Sequence, residues 1–265
     1  NKKYNKKIMN NYIIYEQPVA ENIRNILKCE YLFEKFNSSL EQDNIWGIKS
    51  SIATLLETSD FVSRINLKIE LLKELEKNIL YINNLKDVNN DKLSDYEESI
   101  EKLKFVIDKI NSIEENPSKS VIDNDFLMQI KSKIYLPAGD NFFDMPSYLN
   151  FLSSNKTQIL DNINLWYSPF EYLFKASKLI LSTRRKYSSF EKYTSSKSYF
   201  ELKLNKDTYV DFIRIRLDKD INIYPDVSVS RQNINIIFKH ATGNKRISKP
   251  IIENVDFNLG LSGIK

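Results

Sequence analysis

Apolar residues recur every three or four positions along most of this chain and then, past about residue 198, every second position. That switch separates a helical region from a strand-rich one. Ile13-Ile14-Tyr15 is a short apolar stretch closed by Glu16-Gln17-Pro18, and Pro18 suits the first turn of a helix running to about Phe36. Its apolar arc takes Ile23, Ile26, Leu27, Leu32, Phe33 and Phe36, while Arg24, Lys28, Tyr31 and Lys35 fall together on the opposite side. A second helix is predicted after Asp43 as N-cap, through Ile45, Ile48, Ile52, Leu55 and Leu56. A third follows Ser59-Asp60 and runs to about Leu85, with Phe61, Ile65, Leu72, Leu75, Ile79 and Ile82 on one face. A fourth starts near Ser94-Asp95 and ends at Asn116-Pro117-Ser118. Shorter helices are predicted from Asp123, from Pro146, over 157–166 and over 169–184, the last capped by Ser168.

Residues 199–204, 210–217, 221–229, 233–239 and 254–261 alternate or are rich in strand formers. Ile213, Ile215 and Leu217 share one face, with Arg214 and Arg216 on the other, and Ile234, Ile236 and Phe238 alternate likewise. The predicted class is α+β: an N-terminal α-helical domain over 13–186, followed by a smaller antiparallel β-rich domain over 187–265. The Ser/Lys/Tyr-rich span 187–198 is the candidate linker between them.

One segment departs from both periods. Residues 134–152 hold Pro137, Gly139 and Pro146 among Tyr135, Phe142, Phe143, Tyr148 and Phe151. A compact aromatic loop between helices is expected there, ordered from Pro137 to Pro146, with Phe143 and Tyr148 buried.

Composition narrows the function. The 265 residues are 42% hydrophobic, enough for a large core, and only 5 are glycine, which argues against dinucleotide and P-loop folds. A net charge of +4 permits an acidic partner without demanding nucleic acid. The single cysteine, Cys29, excludes an internal disulfide and fits a reducing, cytoplasmic setting. No apolar run is long enough to span a membrane, and no signal peptide is visible. Met9 is read as a candidate start, with residues 1–8 a disordered basic extension.

Little in the sequence speaks for catalysis. His240 is the only histidine, so with no cysteine cluster it cannot build a zinc site, and no cofactor or metal is expected. Cys29 reads as a small buried apolar residue. Glu30 falls within the apolar arc of the first helix, and Arg64 and Lys68 fall on the apolar side of the third. Either Glu30 pairs with one of these cations inside the bundle, or they line a basic pocket for an acidic ligand. The run Arg184-Arg185-Lys186 ends a helix, where basic residues favour the dipole. Two other classes stand beside a binding adaptor: a nucleic-acid-binding protein using a basic surface, and an enzyme using paired carboxylates.

Several segments, taken together, carry a resemblance. They are Tyr15-Glu16-Gln17-Pro18 with Cys29-Glu30-Tyr31-Leu32, then Glu70-Leu71-Leu72-Lys73-Glu74-Leu75, the Leu136-Pro137-Ala138-Gly139 and Phe143-Asp144-Met145-Pro146 loop, Arg214-Ile215-Arg216-Leu217 with Ile223-Tyr224-Pro225, and Val255-Asp256-Phe257-Asn258-Leu259. In order and spacing, from about Tyr12 to Leu261, the chain resembles the ZapD family of bacterial cell-division proteins. The resemblance implies a helical domain followed by a β domain, a homodimer, and no catalytic activity. It implies that the partner is the acidic C-terminal tail of the tubulin-like protein FtsZ, whose filaments the family bundles at the midcell division ring. Carried over by residue, the basic pocket corresponds to Lys28 and Arg64, with Lys68 alongside and Arg231 after the Tyr-Pro strand, meeting in a groove between the two domains. Asp125, Leu149, Asn233 and Ile237 stand where relatives often carry a basic residue or a histidine, and Lys131 and Lys133 lie near as substitutes. Neither nucleic acid nor a membrane is expected as a partner.

Overall fold

A computed structural model describes residues 11–88, 93–205, 208–240 and 253–264. The expected extension at residues 1–8 lies outside them, as does the turn at Thr242-Gly243-Asn244. Two compact units emerge, Asn25–Leu181 and a second made of Asn1–Arg24 with Ser182–Lys265.

The 25–181 unit is helical. Its elements are α1 (Glu21–Leu40), α2 (Ile45–Arg64), α3 (Leu67–Val88), α4 (Leu93–Asn111), α5 (Lys119–Ile122), α6 (Asp125–Ile134), α7 (Pro146–Leu152), α8 (Lys156–Tyr167) and α9 (Glu171–Tyr187). The unit boundaries fall within α1 and α9. Ile26, Cys29, Leu32 and Phe36 of α1 are buried. Phe36 stacks on Tyr167 with ring centroids 4.2 Å apart, and Tyr167 lies 5.4 Å from Phe174. Stacked rings of this kind add to the stabilisation from area burial alone.

The boundaries of α2 and α3 differ from the sequence expectation. Asn44, not Asp43, caps α2, its Oδ1 accepting from Gly47 N at 2.9 Å. The helix runs through Ser59 and Asp60 and stops at Arg64, where Ile65 turns extended. Asn66 then opens α3, its carbonyl accepting from Glu70 N at 3.2 Å. Ser59 and Asp60 stay helical because tertiary partners hold them: Ser118 Oγ donates to Ser59 O at 2.8 Å, and Lys131 pairs with the Asp60 carboxylate.

The other unit is a β-sandwich. One sheet has the order β1-β4-β7-β2, with β1 Tyr12–Pro18, β2 Phe190–Thr194, β4 Phe212–Asp218 and β7 Asp256–Ser262. The second has the order β3-β6-β5, with β3 Tyr199–Lys203, β5 Ile223–Val229 and β6 Asn233–His240. Among the described residues every strand pairing is antiparallel. Ile213, Ile215, Leu217, Phe257 and Leu259 of the first sheet pack with Ile234, Ile236 and Phe238 of the second.

The class is therefore α+β, with helices first and antiparallel sheets in the C-terminal part. Two segments change role. Residues 12–18, grouped by sequence with the helices, form edge strand β1, paired along its length with β4, and Pro18 closes that strand instead of opening a helix. Within 187–198, read as linker, β2 pairs with β7.

Asp211 ties this unit together. Its carboxylate takes Arg184 Nη2 at 2.9 Å and the Ile264 amide at 3.3 Å. Its carbonyl accepts from Val19 N at 2.9 Å, and its own amide donates to Ser262 O at 2.9 Å. The end of α9, the exit of β1 and the end of β7 thus meet at one aspartate.

Candidate partner-binding surfaces

The helical unit places three of the four residues expected to bind a partner. Lys28 is exposed on α1, Arg64 is exposed at the C-terminus of α2, and Lys68 lies half-buried in the first turns of α3. Lys68 Nζ donates to Ile113 O at 2.6 Å. Neither Arg64 nor Lys68 is drawn into the core beside the buried Glu30. The break at Ile65-Asn66 resets the helical phase, so Arg64 does not share the inward face of α3. Arg231 is exposed in the turn joining β5 to β6, in the β unit. Among the described residues, Lys28, Arg64 and Arg231 have no carboxylate within ion-pair distance, so their charges are available to an anionic partner. The rest of the basic side of α1 is engaged: Arg24 with Glu21 at 3.3 Å, and Lys35 with Glu57 at 2.7 Å.

Three of the four positions that the sequence reading expected to differ from relatives have these surroundings. Asp125 begins α6, where a carboxylate suits the positive end of the helix dipole. Leu149 is 40% exposed on α7, and Ile237 is 39% exposed on the face of β6 opposite Ile236 and Phe238. Lys131 is occupied by Asp60, while Lys133 is exposed. His240 is exposed at the end of β6. Burial pushes the Cys29 thiol up to about 12, with a Ser177 hydrogen bond opposing and the Glu30 charge adding. Among the described residues, no group of His, Cys, Asp and Glu could hold a metal ion.

The aromatic loop is built around a lysine that sequence reasoning missed. Lys49 of α2 is only 7% exposed. Its Nζ lies 2.6 Å from Asp140 Oδ2 and donates to Asp140 O at 2.9 Å. The ring centroids of Trp46 and Phe142 lie 5.0 Å from it and that of Tyr148 lies 5.7 Å away. A buried ammonium requires such compensation from a carboxylate and ring faces. Tyr148 is buried as expected, and burial raises its phenol pKa, with Asp140 adding. Phe143 is not buried: it is 83% exposed, because Asn141 and Asp144 turn the chain outward through hydrogen bonds to each other. Gly139 is required by close approach, since a Cβ there would lie 2.0 Å from Lys133 O.

The β unit carries a cluster of cations, on the face of the four-stranded sheet away from the sandwich core. Glu16 of β1 takes Arg185 in a two-point contact at 2.8 and 2.7 Å, and Arg214 Nε lies 3.5 Å from the same carboxylate. Arg214 also donates to Arg185 O at 2.9 Å. Burial lowers its pKa, the neighbouring charges of Arg185 and Arg216 act in the same direction, and Glu16 opposes them. Phe190 lies across both arginines, 4.9 Å from Arg214 and 4.8 Å from Arg216. Gly260 leaves room for that ring, as a Cβ there would meet it at 3.3 Å. The alternation of β4 pointed to Arg214 and Arg216, but their aromatic neighbours lie on the two strands the sequence did not reveal.

The chain folds as a helical unit and an antiparallel sandwich, and among the described residues no helix is long and apolar enough to cross a membrane. The profile of the family described as "Cell division protein", ZapD, matches residues 27–237. A cell division protein ZapD from Janthinobacterium sp. (strain Marseille) is 27% identical over 253 residues, covering 94% of this chain and 98% of its own. One from Dechloromonas aromatica (strain RCB) is 28% identical over 254 residues, covering 93% and 98%. The chain belongs to the ZapD family.

Proposed function

We propose that this protein is a non-enzymatic adaptor that binds the acidic C-terminal tail of FtsZ and crosslinks FtsZ filaments at the cytoplasmic division ring. The observation that carries this reading is the family match, which spans both units from residue 27 to 237. Lys28, Arg64, Lys68 and Arg231 are the residues proposed to contact the tail. In support, three of them are exposed cations without a carboxylate partner among the described residues, and such groups attract an anionic peptide. Crosslinking needs at least two tail sites per particle, and a two-fold homodimer through the helical domain supplies them with the gain of linked binding.

The experiment is co-sedimentation with FtsZ filaments, with and without the FtsZ tail. The reading expects co-pelleting and bundling with intact filaments and loss of both without the tail. Equal pelleting with tail-less filaments, or none with either, overturns it.

A further inference from the structure

On the outer face of the β1-β4-β7-β2 sheet, one arginine is held by a neutral amide and two rings. Arg216 sits opposite Ile14 on one side and Asn258 on the other. Its Nε and Nη2 donate to Asn258 Oδ1 at 3.2 and 3.1 Å. The guanidinium carbon lies 5.0 Å from the Tyr12 ring centroid and 4.8 Å from that of Phe190. No carboxylate lies within ion-pair distance among the described residues. Its neighbour Arg214 differs: it has Glu16, Arg185 O and Ser188.

This arrangement fixes the plane of a cation and leaves its charge unanswered. A neutral amide occupies the Nε/Nη2 edge, so the remaining Nη1 side is open to an acceptor. Two aromatic rings lie within 5.0 Å of the guanidinium carbon, and ring faces beside a cation help hold it in place. The surroundings are accessible: Tyr12 is 46% exposed, Ile14 is 40% exposed, and the Lys192 side chain of β2 is 75% exposed, its Nζ 3.9 Å from Asp256 Oδ2 in a loose surface pair. Arginine and lysine in one row, with Ile14 beside them and Tyr12 above, match a peptide that alternates carboxylates with apolar side chains.

We propose that the outer face of this sheet, centred on Arg216 and bordered by Tyr12, Ile14 and Lys192, is a docking surface for an extended acidic-apolar peptide of a partner protein, a carboxylate of which meets Arg216. This rests on the functional reading above, in which the partner offers an acidic tail. It adds a surface that lies apart in sequence from Lys28, Arg64, Lys68 and Arg231.

The test uses the full chain with a fluorescently labelled peptide of the FtsZ C-terminal tail, and with the same peptide carrying Asn and Gln in place of its acids. Wild type, Arg216→Gln, Tyr12→Ala and Arg64→Glu are titrated, with melting temperatures measured on the same samples. Tyr12→Ala, at an exposed ring, guards against loss of fold in Arg216→Gln. The inference expects about tenfold weaker tail binding in Arg216→Gln and a smaller loss in Tyr12→Ala, both with unchanged melting, and equal, weak binding of the neutralised peptide by all variants. Wild-type affinity in both Arg216→Gln and Tyr12→Ala, with Arg64→Glu impaired, overturns this surface and leaves the functional reading standing. No binding of the tail by the wild type overturns both. Loss of duplex DNA binding, but not of tail binding, in Arg216→Gln overturns the peptide assignment in favour of nucleic acid.

Discussion

Arg184 and Asp211 meet with Nη2 2.9 Å from Oδ2, their side chains 0% and 2% exposed. The sequence offered a plainer role for Arg184, the favourable interaction of a basic residue with the end of a helix. The structure instead buries it against the aspartate that also holds the Val19 and Ile264 amides and the Ser262 carbonyl. Arg184→Met removes the cation beside a buried carboxylate, and Asp211→Ala removes the carboxylate beside a buried guanidinium. Each is expected to cost roughly 3–5 kcal/mol of stability, whereas the double replacement costs less than the sum. Denaturant unfolding of the three variants checks this.

The aromatic loop gives opposed expectations for two neighbouring residues. Phe143→Ala changes stability by no more than about 0.5 kcal/mol, since the ring is 83% exposed. Lys49→Ala leaves Asp140 without its partner and empties the space between Trp46, Phe142 and Tyr148, and it is expected to cost about 2–4 kcal/mol. Thermal melts of the two variants side by side separate them.

The Cys29 thiol, raised to about 12 by burial, ionises later in the folded chain than in the unfolded one, whose value is near 9.0. The unfolded state therefore loses its proton first. The Cys29 contribution to stability is complete below pH 9 and declines as pH rises towards 12. Cys29→Ala is expected to flatten the alkaline end of the stability profile. Disulfide-exchange reagents at neutral pH should label Cys29 only at the rate of unfolding.

Light scattering at micromolar concentration is expected to give the mass of a dimer. A strict monomer would remove crosslinking as the mechanism, while leaving tail binding open to separate measurement.

Much of this fold was legible. Strands β3 to β7 follow the alternation of apolar positions, and the sandwich core at Ile213, Ile215, Ile234, Ile236 and Phe238 was visible as a period of two. The two missed strands have physical reasons. Strand β1 finds its partner about 200 residues away, so no hairpin turn announces it, and Pro18 is tolerated because the strand is at an edge. Strand β2 is also an edge and mostly exposed, which makes its composition resemble a linker. The α2–α3 break was concealed because Ile65 and Leu72 continue the apolar spacing across it. Among the proposed contacts, helical spacing put Lys28 on the polar side of its helix, and only the resemblance gave it a role in binding. Lys49 looked like any surface lysine until the Asp140 loop folded over it.

The central claim is that exposed cations of this chain bind the FtsZ tail, and Arg64 tests it most directly because it is exposed at a helix end. The measurement is titration of the labelled tail peptide into Arg64→Glu and wild type at low and high salt, with melting temperature read from the same samples. The account predicts an unchanged melting temperature, roughly tenfold weaker binding by Arg64→Glu, and wild-type binding that weakens as salt is added. Wild-type affinity in a fully folded Arg64→Glu, together with salt-independent binding, would contradict it.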